Sequence, residues 1–362
     1  MARRRMLFAN IKKLVHRTIT SANGLVSFKS NVEMPLKVTC EFIPVQDGSG
    51  DPSPDNDRPI SGWTGCEIKE SGKNLLDQSM VLSRSIINSS SKKITANAGY
   101  KVFYFKLKPN TNYIVSHAHG SVLMFGLTKV MPATNVQCYG YVVLTNYYDY
   151  AFNSGDYKYV CLSCASGTVQ VQLELGQTAT SYQAFKGKTI PITFTDPTTG
   201  DPITVYGGTV TLNEDGSVDL VKTWGRVDAA NMTFARFSSN YEDRDNNIYG
   251  PVLNIGAVFK NTVNPTNAPA YSNVAKAGSG KTGKIFAISG QLFLSIYSPT
   301  TLSTGSEVLA YLSSIGFYVV GMLLTPQTYH FDNIGQLQSF LGANNIWHNM
   351  NGSITAEYYN YQ

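Results

Sequence analysis

The chain has 362 residues, enough for two or three domains that each bury a core. Only 15% of its residues are charged, against roughly a quarter in a typical soluble domain, and Gly, Asn, Ser, Thr and Tyr are abundant. The net charge of +5 arises in residues 1–31, which contain seven basic and no acidic residues. The remaining chain carries −2 and lacks the basic surface of a nucleic-acid-binding protein. This composition predicts a mainly β protein with many turns.

The first predicted element is an amphipathic helix over residues 5–19. Its apolar face is formed by Leu7, Ile11, Leu14 and Val15. An isolated helix of about 15 residues is marginal in water, so this face needs a partner. That partner is a neighbouring protein or a second copy, the helix's own domain, or nucleic acid or a membrane reached through the basic cluster 3–5. We favour the first and predict a helical assembly anchor and a linker over residues 1–30.

Residues 31–73 are predicted to form a strand and a connector. Residues 36–43 alternate apolar and polar side chains, which is the period of a half-buried strand. Residues 46–59 are rich in Pro, Gly and Asp and contain no large apolar side chain, so they are expected to stay outside a core.

Three segments of this region carry a family resemblance. Residues 44–56, 58–63 and 72–76 resemble a segment of structural proteins from phages and prophages of Gram-positive bacteria, known as tail, baseplate or head-fibre components. The ending of the chain is similar to the same proteins, with a Thr-Pro-X-Thr strand at 325–328, a short helix near 333–341 and Asn-Asn-Ile-Trp at 344–347 before a final strand from Gly352.

Residues 74–187 show one strand pattern after another at the spacing of a β-sandwich. Residues 107–113 and 172–182 resemble the edges of jelly-roll modules in phage fibre proteins, which are similar to carbohydrate-binding modules. The resemblance implies a jelly-roll-like domain that closes near Gly187. A second, C-terminal β-rich domain is predicted over 188–362, with a hairpin turn at 213–216 and one or two short helices, the first over 307–315.

Few motifs point to catalysis or metal binding. The five cysteines form no disulfide framework, and Cys161 and Cys164, three apart in a strand, point to opposite faces. His117 and His119 share a strand face without an evident third ligand. The aspartates of the connector lack the spacing of a calcium loop, so a solvated turn is favoured. No cofactor, no metal and no enzymatic activity are expected.

The most suggestive surface feature is a group of tyrosines at 139–159. A loop rich in tyrosine and asparagine is predicted within it, where rings stack on sugars and amides bond their hydroxyls. Its residues are Asn146, Tyr147, Tyr148, Tyr150 and Asn153. The alternative is that these tyrosines pack in a core or between subunits.

Together these features predict a non-enzymatic component of a phage fibre or baseplate, made in the host cytoplasm and exposed on the virion. The resemblance implies a homo-oligomer, with a trimer favoured, joined to other virion proteins through the N-terminal helix and contacting host-surface glycan. No stretch reaches the roughly 18 apolar residues of a membrane span, and no nucleic acid is expected as a partner. The alternatives are a glycan-degrading appendage enzyme and a capsid-bound structural protein that binds no ligand.

Overall fold

A computed structural model describes residues 13–117, 122–145, 149–167, 170–231, 233–237, 248–249, 251–254, 270–273, 276–277, 284–288, 291–294, 296–297 and 305–362. The chain is mainly β, as predicted, and its strands form several antiparallel sheets. Among the described residues, no helix has the length and apolar character needed to cross a membrane.

The strands before the middle of the chain are β1 (Leu14–Ser21), β2 (Leu25–Ser30), β3 (Lys37–Phe42), β4 (Val45–Gln46), β5 (Ile60–Ser61), β6 (Gly65–Ser71), β7 (Val81–Ile87), β8 (Ile94–Lys106), β9 (Asn112–His117), β10 (Leu123–Thr128), β11 (Tyr139–Leu144), β12 (Asp149–Asn153), β13 (Tyr159–Ala165) and β14 (Val171–Leu175).

The strands and the helix that follow are β15 (Gly187–Thr193), β16 (Gly208–Leu212), β17 (Val218–Asp228), β18 (Thr233–Phe237), β19 (Ile248–Tyr249), β20 (Pro251–Asn254), β21 (Ala270–Ser272), β22 (Lys276–Ala277), β23 (Lys284–Ile288), β24 (Gln291–Leu294), β25 (Ile296–Tyr297), α1 (Gly305–Ser314), β26 (Tyr318–Phe331), β27 (Gly342–His348) and β28 (Gly352–Tyr361). A 3-10 turn, Ala229–Asn231, precedes β18.

Two sheets built from both ends of the chain form what we call the base sandwich. A seven-stranded sheet has the order β1-β28-β3-β16-β17-β26-β21, and a four-stranded sheet has the order β15-β6-β27-β2. Their facing side chains form one apolar core that includes Phe42, Ile68, Phe194, Leu220 and Ile354. Strands from residues 31–73 and from 188–362 therefore lie in the same two sheets. The predicted domain boundaries themselves stay predictions.

Alternation of apolar and polar residues explains these strands. In β3, Val38, Cys40 and Phe42 are buried while the residues between them are more exposed, so the prediction of a strand at 36–43 is confirmed. The hairpin turn at 213–216 is also confirmed, because Gly216 N–H donates to Asn213 O between β16 and β17.

Two predictions of helix are wrong, and one is confirmed. Residues 14–21 are a strand, so Leu14 and Val15 do not lie on a helical face; β1 pairs along its whole length with β28. Leu7 and Ile11 lie outside the described residues. Residues 333–341 form no helix, since Asn333 and Gly335 adopt positive φ angles of 57° and 142°. The helix expected at 307–315 is present as α1.

The segment between β6 and β15 forms a second pair of sheets, the inserted sandwich. Its five-stranded sheet has the order β11-β10-β13-β8-β7, and its three-stranded sheet has the order β12-β9-β14. Both sheets contribute to one core, which contains Phe103, Val115, Phe125, Leu162 and Leu173. The sandwich leaves and rejoins the base at adjacent points, because Ser71 and Gly187 are paired across β6 and β15.

The two chain segments that enter and leave the inserted sandwich, residues 72–76 and 180–186, form a neck. The buried amide of Asn74 donates to Gln183 O at 2.9 Å and accepts the N–H of Leu76 and of Leu173. Gly72 N–H donates to Lys186 O at 2.8 Å. The two segments of the neck are therefore hydrogen-bonded to each other where the chain enters and leaves the inserted sandwich.

The predicted connector at 46–59 is an ordered loop closed by the pairing of β4 with β5. Its centre is the guanidinium of Arg58, which donates to the backbone oxygens of Gln46, Asp47, Gly48 and Gly50. A planar group with five N–H donors can satisfy several carbonyls at once, and this holds a loop that has few apolar side chains of its own.

Candidate functional site

The predicted glycan-contacting loop is described only in part. Asn146, Tyr147 and Tyr148 lie outside the described residues. Tyr150 lies in β12, and its ring contacts the core ring of Phe125 edge-on, with centroids 4.9 Å apart. Asn153 ends β12; its amide donates to Asn112 Oδ1 and its Oδ1 accepts Gly155 N–H. Tyr150 thus packs against the core, and Asn153 stabilises a turn.

Two other tyrosines of the same sequence group, the exposed Tyr139 and the half-buried Tyr157, lie side by side at one end of the inserted sandwich, where Tyr157 also packs against the core. The rings of Tyr139 and Tyr157 are 5.7 Å apart and inclined by 36°. Lys129 Nζ lies 5.5 Å from the centre of the Tyr157 ring and forms an ion pair with Asp156 Oδ2 at 2.6 Å. We call these four residues the tyrosine patch.

Short turns hold the patch in place. Tyr157 is the last residue of the turn 154–157, which is closed by the hydrogen bond from Tyr157 N–H to Ser154 O. The buried hydroxyl of Ser154 donates to Lys108 O at 2.6 Å. The Lys158 N–H donates to Thr128 O, which fixes Tyr157 beside Lys129. Tyr139 begins β11, whose register with β10 is shifted by a bulge at that end. The bulge directs the Tyr139 side chain outward, where it is 45% exposed.

The surface beside the patch is apolar as well as charged. Val130 and Met131 follow Lys129 and are 58% and 50% exposed. Hydrogen bonding between the two charged groups raises the pKa of Lys129 and lowers the pKa of Asp156, so both are ionised at neutral pH. Flat rings beside a fixed donor and acceptor pair match the two faces of a sugar, one apolar and one rich in hydroxyls.

Sequence reasoning placed Tyr139 and Tyr157 in the tyrosine group but missed Lys129 and Asp156. Lys129 is separated from Asp156 by 27 residues, and only the antiparallel pairing of β10 with β13 brings them together. A lysine and an aspartate in separate turns carry no local signal, whereas clustered tyrosines do.

The strongest arrangement of titratable groups lies elsewhere, on the outer face of the base sandwich. His330 Nδ1 is 2.7 Å from Asp219 Oδ1, and His330 Nε2 is 3.2 Å from Asp332 Oδ1. These carboxylates, Asp219 foremost, raise the pKa of His330. An open cavity of about 340 Å³ lies beside it, between β17 and β26. Both ring nitrogens face carboxylates, so neither is free to accept a proton from a substrate.

The remaining sequence motifs are structural where they are described. All five cysteines are unbonded and buried, and burial raises the pKa of Cys40 and Cys66, the latter to about 12. His117 is buried in β9, and His119 lies outside the described residues. In the part of the chain that the structure describes, no three His, Cys, Asp or Glu side chains are gathered as metal ligands.

No protein-family model, curated protein or solved structure matches this chain.

Proposed function

We propose that this chain is a non-enzymatic structural component of a phage particle, a part of a tail fibre, head fibre or baseplate, which presents the inserted sandwich outward and contacts host-surface glycan. The resemblance of residues 44–56, 58–63 and 72–76, and of the ending with Thr-Pro-X-Thr at 325–328 and Asn-Asn-Ile-Trp at 344–347, to such phage proteins supports the class of protein, although the helix expected at 333–341 is absent. The jelly-roll character of the sandwich belongs to the same proposal.

The structural observation that carries the proposal is the fixed mounting of the inserted sandwich. Both of its connections to the base emerge beside each other at the neck, and the joint contains further contacts. Lys108 Nζ donates to His348 O at 2.9 Å, and the rings of Phe105 and Trp347 meet edge-on at 5.6 Å. A module that is inserted through one point and held there suits rigid display on an assembly.

The role in a particle is tested by locating the chain. Particles of a phage that encodes it are purified on a density gradient and analysed by mass spectrometry, then labelled with an antibody raised against the purified chain. We expect the chain in intact particles and label on an appendage. Absence of the chain from purified particles overturns the proposal, and label on the capsid shell alone favours the capsid-bound alternative.

Glycan contact is assigned to the tyrosine patch. Titration of the purified chain with soluble cell-wall polysaccharide from a Gram-positive host is expected to give saturable binding, which Tyr139→Ala and Tyr157→Ala each weaken at least tenfold. Tyr182→Ala is the matched control, because Tyr182 is 42% exposed and lies in the neck rather than in the tyrosine patch. Equal loss in all three variants, or no binding by the native chain, contradicts this assignment.

The same titration separates binding from cleavage. New reducing ends released from the polysaccharide during incubation would identify a glycan-degrading enzyme instead. A constant number of reducing ends, together with saturable binding, supports a binding protein.

A further inference from the structure

We propose that the open edge of β1 pairs with the open edge of β26 in a second copy of this chain, so that copies join head to tail through one continuous sheet. Among the described residues, these strands form the two sides of the seven-stranded sheet, except where the short strand β21 covers residues 319–321 of β26. The inference concerns self-association and goes beyond the proposed role in a particle.

The hydrogen bonds of β1 show which of its backbone groups face away from the molecule. Lys13 and Gln362 exchange both N–H···O bonds, at 3.1 and 2.9 Å. Bonding alternates along an antiparallel pair, so Val15, Arg17 and Ile19 also bond to β28. The N–H and C=O groups of the alternate residues point to the open edge. These residues are Leu14, His16, Thr18 and Thr20, and each is exposed.

The hydrogen bonds of β17 show which backbone groups of β26 face away from the molecule. The Asn213 N–H donates to Ser217 O, so Asp219, two residues further along β17, also bonds towards β16. The alternate residues face the other way, and Val218 and Leu220 therefore bond to Phe331 and Tyr329 of β26. The backbone groups of Thr328 and His330 therefore point away from β17. Pro326, which lacks an N–H, occupies the next outward position, where a proline is tolerated. Residues 324–328 are all exposed.

Direction and side-chain faces are compatible with this pairing. Successive strands from β1 to β26 are antiparallel, so β1 of one copy runs antiparallel to β26 of its neighbour. A row of directly opposite side chains crosses the solvent face of the sheet. It consists of Thr20, Thr355, Thr39, Thr211, Asp219 and His330. Because its two ends lie on the two open edges, the outward-bonding residues of β1 and of β26 carry their side chains on the same solvent face of the sheet.

Charge complementarity favours a second copy as the occupant. The start of β1 contains Lys13, His16 and Arg17, with Glu357 of β28 3.1 Å from His16, whereas the end of β26 carries Asp219 and Asp332 on either side of His330. Registers across the sheet place the start of β1 and the end of β26 at the same end. In a head-to-tail assembly the basic end of one copy therefore faces the acidic end of the next. Antiparallel pairing of β1 with β1 would instead set this basic start against the uncharged residues 18–21 of the other strand, with no acidic partner.

Cross-linking between single-cysteine additions tests the pairing on the purified full-length chain, whose native cysteines are all buried. Thr18→Cys and Thr328→Cys are prepared separately, mixed, and treated with a short bis-maleimide. We expect a covalent dimer from the mixture and little from either variant alone. A dimer from Thr18→Cys alone indicates β1–β1 pairing, and no cross-link in any sample indicates an unpaired edge; either overturns the proposal.

A proline in the edge provides an independent measurement. Thr18→Pro removes an outward N–H and leaves the bonds from β1 to β28 intact, whereas Thr18→Val keeps every backbone donor. Light scattering after size-exclusion chromatography is expected to show at least tenfold weaker association for the proline variant alone. Thr328→Pro repeats the test on the other edge if Thr18→Pro does not fold. Equal association of all variants overturns the proposal.

Salt gives a further check, since association between a basic and an acidic edge weakens as ionic strength rises. These measurements use the purified chain. Failure of edge pairing therefore leaves the role in a phage particle untouched, and absence of the chain from particles leaves edge pairing untouched.

Discussion

Lys108 Nζ donates a hydrogen bond to the backbone oxygen of His348 at 2.9 Å, and this contact joins the inserted sandwich to the base. Neither group is solvated normally. Burial, together with the charge of Lys106, lowers the pKa of Lys108 to about 8. Burial, together with the charge of Lys108, lowers the pKa of His348 to about 4, so its ring is neutral at pH 7. The contact between the two sandwiches therefore contains one partly desolvated ammonium group beside a neutral imidazole.

The first prediction concerns Lys108 and alkaline pH. Between pH 8 and 10.5 the unfolded chain holds this proton and the folded chain has released it, so this group makes the free energy of unfolding rise with pH. The full gain is on the order of 3 kcal/mol. Lys108→Met is expected to remove that rise in urea titrations across this range. Lys158→Met is the control, because Lys158 is exposed and directly precedes β13. This variant should keep the native dependence of the free energy of unfolding on pH.

The second prediction concerns Glu70, which is 6% exposed in β6 next to the neck. Burial raises its pKa to about 7, although its Oε2 accepts the Gln338 N–H at 2.9 Å. Between pH 4.5 and 7 the folded chain holds a proton that the unfolded chain has lost, so this group makes stability fall as pH rises.

Glu70→Gln removes this titration. The variant is expected to gain stability relative to the native chain as pH rises from 4.5 to 7, by up to about 3 kcal/mol. Thermal or urea unfolding at several pH values measures the difference. Glu67→Gln, at a half-buried position of the same strand where the carboxylate pairs with Lys69, should show a difference that does not change in this way. A constant difference for Glu70→Gln as well would show that its carboxyl is not desolvated in solution.

The third prediction concerns the loop at 46–59. Arg58→Lys replaces a guanidinium that reaches four backbone oxygens with an ammonium that cannot reach them all. We expect faster amide hydrogen exchange at residues 47–50 and a loss of stability of about 1–2 kcal/mol. Arg84→Lys in the exposed part of β7 should leave exchange in the loop unchanged. Unaltered exchange in Arg58→Lys would mean that the loop is held by its turns alone.

The arginine-centred loop illustrates what the sequence could and could not predict. Pro, Gly and Asp correctly indicated a segment without large apolar side chains, but not that the side chain of Arg58, near its end, binds the backbone oxygens near its start. Strands with clean alternation, such as β3, were predictable because one face is buried. The pairing partners were not, since β3 lies between β28 and β16, each far away in the chain.

The wrong helix at residues 14–19 has the same origin. Leu14 and Val15 fit a helical spacing with Leu7 and Ile11, yet Val15, Arg17 and Ile19 also fit the spacing of a strand. Local spacing does not decide between these two patterns; pairing with β28, more than 300 residues away, does. In the candidate site, clustered tyrosines were visible from the sequence, and the ion pair of Lys129 with Asp156 was not.

The last prediction follows from β1 and β2. Removal of residues 1–30 would delete both strands and with them Val26 and Phe28, which are 2% and 8% exposed in the core of the base sandwich. Phe28 stacks on Tyr358 with ring centres 4.0 Å apart. Loss of a buried phenylalanine alone costs about 3–5 kcal/mol, and the total stability of a domain is about 5–15 kcal/mol. The shortened chain is expected to aggregate or to lose cooperative unfolding.

Removal of residues 1–12 keeps both strands and should leave the unfolding temperature within a few degrees of the native value. Circular dichroism melts of the two shortened chains measure the difference. A chain starting at Asn31 that melted like the native protein would show that these strands add little to the base. That result would favour the basic N-terminal segment as an assembly element that is separate from the base sandwich.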